Sequence, residues 1–531
     1  MDDILKRASS VSPSYHILSL LFIFFVKTDA STCASNDLRA LQDFSISLNT
    51  TILEWPTSIA NSSSCCSWPG VQCDSTLNSS MPSAARVVGL NLSGKGLEGV
   101  LSSFISGLNK LSYLNLSNNS FRGRIPKELF HLKPLEVLDR QNNQLSGELA
   151  PNIRNLSNLR HLDLSNNWFT GTIPDVFQAL RKLKVFAAGS NAFVGELPTS
   201  LSSCSELTML SLWNNSLDGN IDNLNFSRLA CLSSLDLGWN NLQGHIPETL
   251  SACKELKTLN LSYNKIRGHV PEKFCNLGAL NYLDLSTNSL SNISESLKVL
   301  QKCDNLTIMY LGGNFEGEEV PTDGIQGFPK LWDIHLADCG LAGQIPSWFG
   351  DFDHIFILNL SNNLLSGEIP VSLAQLRGPT SGITLEDKYD SCCLSMSFYW
   401  NDDRTDAGRP YKLYMNVPVA LNFSSNKFNG TIWKDFGNLK HLQWIDLSRI
   451  YLSGSIPDEL SDMSSMEKLD LSFNNLSGRI PSSVIRLSFM SFFSVAYNHL
   501  EDPVPIEGQF LSFPYSKFEG NPGLYRTSVY P

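Results

Sequence analysis

Apolar positions return in one frame about every 24 residues along almost the whole chain. In Leu111 to Pro134, LSYLNLSNNSFRGRIPKELFHLKP, they fall at Leu111, Leu114, Leu116, Phe121, Ile125, Leu129 and Leu132. That spacing suits neither one helix nor one long strand, so these side chains converge from a coil that turns once per repeat. The first apolar position recurs at Val87, Leu111, Leu135, Leu159, Leu183, Leu207, Leu232, Leu256, Leu280, Leu306, Leu331 and Ile355, then at Pro418, Leu442, Met466 and Met490, making 16 turns. Such a stack buries a continuous core between neighbouring turns. The 531 residues therefore read as one elongated array rather than several globular domains.

Eight positions after the first apolar residue most turns carry asparagine, from Asn119 and Asn143 to Asn474 and Asn498; Cys339 replaces it once, and Lys95 and Ile450 break the row. An amide can donate to and accept from the backbone where the chain leaves a strand and bends, replacing bonds that a tight turn leaves unmade. Most turns continue as G-x-I-P, as at Gly123 to Pro126, Gly171 to Pro174, Gly367 to Pro370 and Gly478 to Pro481. The pattern resembles the plant-specific leucine-rich repeat, where Asn and Cys alternate at the bend. That resemblance implies an α/β solenoid: a plant-type leucine-rich repeat superhelix with an inner parallel β-sheet.

Lys6 and Arg7 precede the apolar run Ile17 to Val26, and Thr28-Asp29-Ala30 offers small residues to a signal peptidase. The run is far shorter than the roughly 20 residues that span a bilayer. Residues 1–30 are accordingly expected to be a signal peptide. The protein would then be secreted, or held at the cell surface if a longer form carries a membrane helix. No other stretch is long and apolar enough to cross a membrane, and neither a membrane helix nor a kinase domain occurs before Pro531. Sixteen N-x-S/T sequons from Asn49 to Asn475 fit passage through the secretory pathway, although Asn91, Asn115, Asn260, Asn359 and Asn422 belong to the strand consensus itself. A net charge of -11 argues against non-specific nucleic-acid binding. Gly94, Gly96 and Gly99 imitate a phosphate loop but open no helix in a β-α-β unit. With no nucleophile elbow, zinc-protease motif or kinase signature, an enzyme is not expected.

Ahead of the first repeat, residues 31–85 hold Cys33, the vicinal Cys65 and Cys66, Trp68 and Cys73. An array exposes its apolar core at each end, so a stapled cap is required there. The run C…CC-x-W-x-G-V-x-C resembles the N-terminal cap of plant leucine-rich repeat proteins. Vicinal cysteines rarely bond each other because the ring is strained, and the pairs taken with this resemblance are Cys33–Cys65 and Cys66–Cys73. A zinc site is disfavoured, since no C-x-x-C occurs and the compartment is oxidising; no metal or cofactor is expected. Cys204, Cys253 and Cys303 stand in apolar positions and read as small buried hydrophobes. Cys231 and Cys275 lie nearby, which leaves a bridge between adjacent turns open.

From Arg377 to Val417 the frame stops. Long insertions in compact arrays are usually functional, and Phe398, Tyr399, Trp400, Tyr411, Leu413 and Tyr414 give this one apolar area with which to fold. The layout is thus a signal peptide (1–30), a stapled cap (31–85), repeats 1–12 (86–376), an island (377–417), repeats 13–16 (418–513) and an incomplete C-terminal cap (514–531). An island of this length before four closing repeats, together with Asn288 to Thr307, Cys339 and Gly508 to Leu524, resembles the ectodomain of the plant phytosulfokine receptor family. The resemblance implies an extracellular protein that binds a short secreted peptide, sulfated or unsulfated, with a leucine-rich repeat kinase as candidate co-receptor. Three departures stand out. One turn before the island is missing, Trp400-Asn401-Asp402-Asp403 replaces a basic run, and Tyr525 replaces the first cysteine of the C-terminal cap.

Strands lie about 4.8 Å apart, so an extended pentapeptide of roughly 17 Å would cover three or four of them. Residues alternating with buried leucines face outward. These are Asp284, Ser286, Tyr310, Asp333, His335, Asn359, Ser361, Asn422, Ser424, Asp446 and Arg449. By the resemblance, Asn260, Asp284 and Ser286 occupy strand positions used for the peptide, and Phe398 and Tyr399 match the island strand. Arg404, Arg409 and Lys412, with Arg449, supply cations for a sulfated tyrosine. The island is therefore expected to lie over the concave face and offer a strand edge to the peptide. The alternative is a secreted defence protein that inhibits a pathogen cell-wall-degrading enzyme, which would need no island.

Overall fold

A computed structural model describes residues 33–50, 52, 55, 64–74, 84–380, 398–400, 409–411 and 418–525. The signal segment, the sequons at Asn61 and Asn78, Cys392, Cys393, Arg404 and Lys412 lie outside the described residues.

A seventeen-stranded sheet runs through the array. Its first strand, Val71–Cys73, pairs antiparallel with Val87–Asn91, and the other sixteen run parallel, one from each turn. The central apolar residue of these strands points into the core; Leu114, Leu138, Leu162, Leu259 and Leu283 are all fully buried, as are Phe186 and Met309 at the same position. Register never slips between neighbouring turns of the parallel stack. The third strand residues align as Asn260, Asp284, Tyr310, His335, Asn359, Asn422 and Asp446.

On the far side of the core the G-x-I-P runs feed short 3-10 helices. Pro126 precedes Lys127–His131, and Leu129 donates its N–H to the Pro126 carbonyl at 3.1 Å. Proline suits this entry because its fixed φ is preorganised and its missing N–H would have had no partner. Gly367 of the same motif holds φ +78°, a conformation that side chains with a Cβ rarely adopt.

The bend asparagines form a continuous hydrogen-bonded row. Asn363 donates Nδ2 to the carbonyls of Leu336 (2.8 Å), Leu360 (2.9 Å) and Ser361 (3.2 Å), and its Oδ1 accepts from the N–H groups of Cys339 and Leu341. One amide thus satisfies two turns. Cys339 keeps the same place by directing its thiol at the Ala337 carbonyl, 3.3 Å away. Asn521 adds a further step, accepting from Leu500 N–H and donating to Val495, Phe518 and Glu519.

The insertion does not interrupt this row. Asn426 donates to the Leu360 carbonyl at 2.9 Å across 66 residues of chain, and strand Ile357–Asn359 pairs directly with Ala420–Asn422. The chain leaves between two adjacent turns and returns to the next position in the stack. Within the insertion, Phe398–Trp400 and Arg409–Tyr411 form an antiparallel hairpin.

The N-terminal end is closed by helix Ser35–Ile46, which buries Ala40, Leu41 and Phe44 over the first turns. Its Asp37 is fully buried and accepts from Arg86 Nε (3.0 Å), Arg86 Nη2 (2.9 Å) and Val87 N–H (2.8 Å). Removing either partner of such a pair would leave a buried charge exposed to an apolar surround. Disulfides join Cys33 to Cys65 and Cys66 to Cys73. At the other end Phe510, Phe513 and Phe518 pack around Phe493, with ring centroids 4.9, 6.3 and 6.0 Å from it.

Cys204, Cys253 and Cys303 are buried and unpaired, each directing its thiol at a backbone carbonyl of an earlier turn. Burial pushes their pKa values up to about 12, 11 and 12. These thiols are inert packing groups. Cys231 and Cys275 are also free.

Candidate functional site

The third residue of each strand lies on the sheet face opposite the leucine core. There a second polar row runs parallel to the asparagine row. Asn260, Asp284, Asn359, Asn422 and Asp446 each use one side-chain oxygen to accept from the backbone N–H two residues on, at 3.0 or 3.1 Å. The same oxygen accepts from the hydroxyl of Ser262, Ser286, Ser361, Ser424 or Ser448. This is a local Asx turn, repeated once per rung. Eight of the expected site residues are therefore locked in such pairs, the serine orienting the amide or carboxylate.

The lock uses only one oxygen. Among the described residues no hydrogen bond uses Nδ2 of Asn359 or Asn422, and both side chains are half-buried. These two rungs present oriented amides to the open face. Asn260 differs, since its amide also reaches Asp236 on the preceding strand.

Between these rungs the face turns aromatic. Tyr282 O–H donates to Asp284 and Tyr310 O–H donates to Asp333 at 2.5 Å, with His335 Nε2 3.1 Å from the other Asp333 oxygen. The Tyr310 and His335 rings are 4.4 Å apart. Burial raises the phenol pKa values well above their usual value, so both tyrosines act as neutral donors. Burial also raises Asp284 and Asp446.

The expected site residues therefore separate. Asn260, Asp284, Ser286, Tyr310, Asp333, His335, Asn359, Ser361, Asn422, Ser424 and Asp446 share one face of one sheet. Arg449 lies beyond its strand, at a left-handed bend with φ +56°, and its guanidinium stacks 4.1 Å above Phe473. Phe398 and Tyr399 lie on the hairpin of the insertion, which belongs to a separate compact unit.

Sequence reasoning missed Lys468. Its ammonium lies 3.8 Å from Asp446 and 5.6 and 5.5 Å from the Trp444 and Phe492 rings, placing a cation on the same face. The signal was available, because Trp444, Lys468 and Phe492 occupy the same repeat position 24 residues apart.

The leucine-rich repeat model matches residues 232–290 and 419–476, with further single-repeat matches at 110–132, 158–180 and 354–376, and a leucine-rich repeat N-terminal domain matches 34–74. The fold is a leucine-rich repeat solenoid, similar to the ectodomains of plant receptors. The chain is 44% identical over 268 residues to phytosulfokine receptor 2 of Arabidopsis thaliana, covering 45% of this chain and 25% of that receptor. It is 36% identical over 139 residues to phytosulfokine receptor 1 of the same plant, covering 26% and 13%. Receptor-like protein 3, again from Arabidopsis thaliana, is 34% identical over 259 residues, covering 43% and 34%. The matched stretches thus span about a third or less of these relatives. Among solved structures, the plant peptide hormone receptor RGFR1 in complex with RGF2 superposes with a TM-score of 0.68 at 28% identity, covering 81% of this chain and 62% of that one. No helix among the described residues is long and apolar enough to cross a membrane.

Proposed function

We propose that this protein is an extracellular peptide-binding module whose open sheet face holds a short extended peptide of the phytosulfokine type. The observation that carries this reading is the second polar row. Asn359 and Asn422 stand on directly paired strands, their oxygens fixed by Ser361 and Ser424 and their Nδ2 groups making no hydrogen bond among the described residues. An extended peptide laid across the strands meets one such rung about every 4.8 Å, so its backbone carbonyls can accept from successive amides. Serine locks hold the donors in place before binding, which lowers the ordering cost.

Neutral Tyr310, half-buried and packed edge-on against the buried Tyr282, lies on the same face beside these rungs and offers apolar area. Asn260, Asp284, Ser286 and Asp446 extend the row, and Lys468 and Arg449 supply cations for an anionic group such as a sulfated tyrosine. The insertion carries a hairpin of its own, with Phe398 and Tyr399 on one strand and Arg409 on the other, and a hairpin edge is a surface that an extended peptide can pair with. The likeness to receptors of peptide hormones supports the reading, and a co-receptor kinase is the partner that would carry the signal onward. The chemistry is binding, not catalysis.

Calorimetry with a tyrosine-sulfated pentapeptide and its unsulfated form, on the secreted chain and on one lacking Lys388 to Met415, tests this. The sulfated form should bind more tightly, and the deletion should weaken it. Each charge-assisted hydrogen bond lost would remove roughly 1.5 to 3 kcal/mol. Equal affinity for both peptides, or binding that survives the deletion intact, would overturn the assignment.

A further inference from the structure

Immediately before each bend position, one residue per turn takes a left-handed conformation, and these residues form a rim along the edge of the sheet. In the last turns the rim reads Ser425, Arg449, Phe473 and Tyr497, with φ between +54° and +57°. Its side chains stack from rung to rung. The Phe473 and Tyr497 rings are 4.5 Å apart with planes 13° apart, and the Arg449 guanidinium carbon lies 4.1 Å from the Phe473 centroid. Since Tyr497 covers one face of Phe473, Arg449 covers the other, on the side of Ser425.

This stack is closed at one end and open at the other. At the closed end Tyr497 O–H donates to Glu519 at 3.2 Å, and a Cβ on Gly520, on the following rung, would lie 2.5 Å from the ring's Cδ1. At the open end the next rim residue is Ser425, whose short side chain does not complete the stack. Arg449 is exposed, and among the described residues its side chain makes no hydrogen bond or ion pair. We propose that the outer face of the Arg449 guanidinium is a subsite for an aromatic side chain of the bound peptide, which enters on the Ser425 rung as the next member of the stack. The inference rests on the peptide-binding reading above and deepens it.

A guanidinium is planar and weakly hydrated and stacks on ring faces, and a ring laid over it gains cation–π attraction. Phe473 and Tyr497 hold the plane before the peptide arrives, so little side-chain freedom is left to lose. The subsite also adjoins the amide row. Ser425 N–H donates to the Ser448 carbonyl at 2.9 Å, which sets the two rungs side by side, and Ser424 is the lock on Asn422. Asn422 and Ser425 are separated by at most about 10 Å of backbone, so a peptide residue held at Asn422 needs a long side chain to reach the rim. The ring takes the face of Arg449 and leaves its edge N–H groups for an anion. Lys468 offers no such plane, being a point charge 3.8 Å from Asp446 and flanked by the Trp444 and Phe492 rings.

Calorimetry on the full chain, with two unsulfated pentapeptides that differ only in carrying phenylalanine or cyclohexylalanine at the aromatic position, tests this. The two side chains share shape and apolar area, but only one has a π face. The phenylalanine peptide should bind about threefold to tenfold more tightly. Arg449→Leu should bring that ratio close to one at an unchanged melting midpoint, and Phe473→Leu, which keeps the guanidinium but removes its platform, should lower it. Equal affinities in the unsubstituted chain, or a ratio that survives Arg449→Leu, overturn the proposal alone, as does binding of the sulfated pentapeptide with neither unsulfated one. Binding of none of the three overturns the peptide-binding reading with it.

Discussion

Two polar rows run along this array, one at the bends and one on the strands; asparagine occurs in both and does opposite work in each. In the bend row, Asn363 spends its whole amide on backbone, with three carbonyls on Nδ2 and two N–H groups on Oδ1. In the strand row, Asn359 spends only its oxygen, on Ser361. The first row replaces hydrogen bonds that the bends cannot make; the second holds donors ready for something else. Identity at a repeat position therefore does not reveal role, whereas the number of unused hydrogen-bonding groups does.

The largest effect expected from this contrast is on stability. Asn363→Ala would leave the Cys339 and Leu341 N–H groups without partners inside the fold and should cost about 2 to 5 kcal/mol. Asn359→Ala should cost under about 1.5 kcal/mol, since its serine can turn to solvent. Urea denaturation of both variants compares the rows directly. Similar losses would erase the distinction.

A second prediction uses a polar group that neither row accommodates. Arg140 takes the core position held by Leu116 and Leu164 in the neighbouring turns, is fully buried, and has no hydrogen-bond partner for any guanidinium nitrogen. Burial depresses its pKa to about 9. Arg140→Leu should raise stability by about 1 to 4 kcal/mol, the gain seen when buried charge gives way to a packed hydrophobe. A lower melting midpoint in that variant would show that the guanidinium contributes favourably.

The strand row also predicts a pH dependence. Burial raises Asp139 to about 7, with the neighbouring Asp163 carboxylate adding to the shift, and burial raises Asp236 to about 7. Both carboxyls bind protons more tightly in the folded chain than in the unfolded one. Their contribution is therefore complete below about pH 4 and is lost as pH rises through about 7, by on the order of 4 kcal/mol for each group. Melting midpoints recorded from pH 4.5 to 7.5 should fall, and Asp139→Asn with Asp236→Asn should flatten the slope.

The 24-residue period, the apolar spacing and the bend asparagines made the solenoid legible, because a stack repeats its constraints and each turn restates the last. The strand row was legible as outward-facing positions but not as Asx turns. The bond from Ser361 to Asn359 is local, and the N-L-S that encodes it is also the strand consensus and a sequon. Arg449 read as a strand residue, yet it sits at the left-handed bend, a conformation its own side chain does not announce. Asn521 was missed as a ladder member because it lies 23 residues after Asn498, beyond the last complete apolar frame. The register of the array across the insertion was legible, because the frame resumes at Pro418 and the bend asparagine returns at Asn426. It is set by Asn426 reaching back to Leu360.

The most direct test of the central claim is calorimetric titration of the sulfated pentapeptide into the intact chain and into the double variant Asn359→Ala with Asn422→Ala, with melting midpoints recorded alongside. If these amides are donors to a bound peptide, affinity should fall roughly tenfold or more, as the loss of two hydrogen bonds requires, while the midpoint moves little. Unchanged affinity, or a midpoint that drops as far as that of Asn363→Ala, would contradict it.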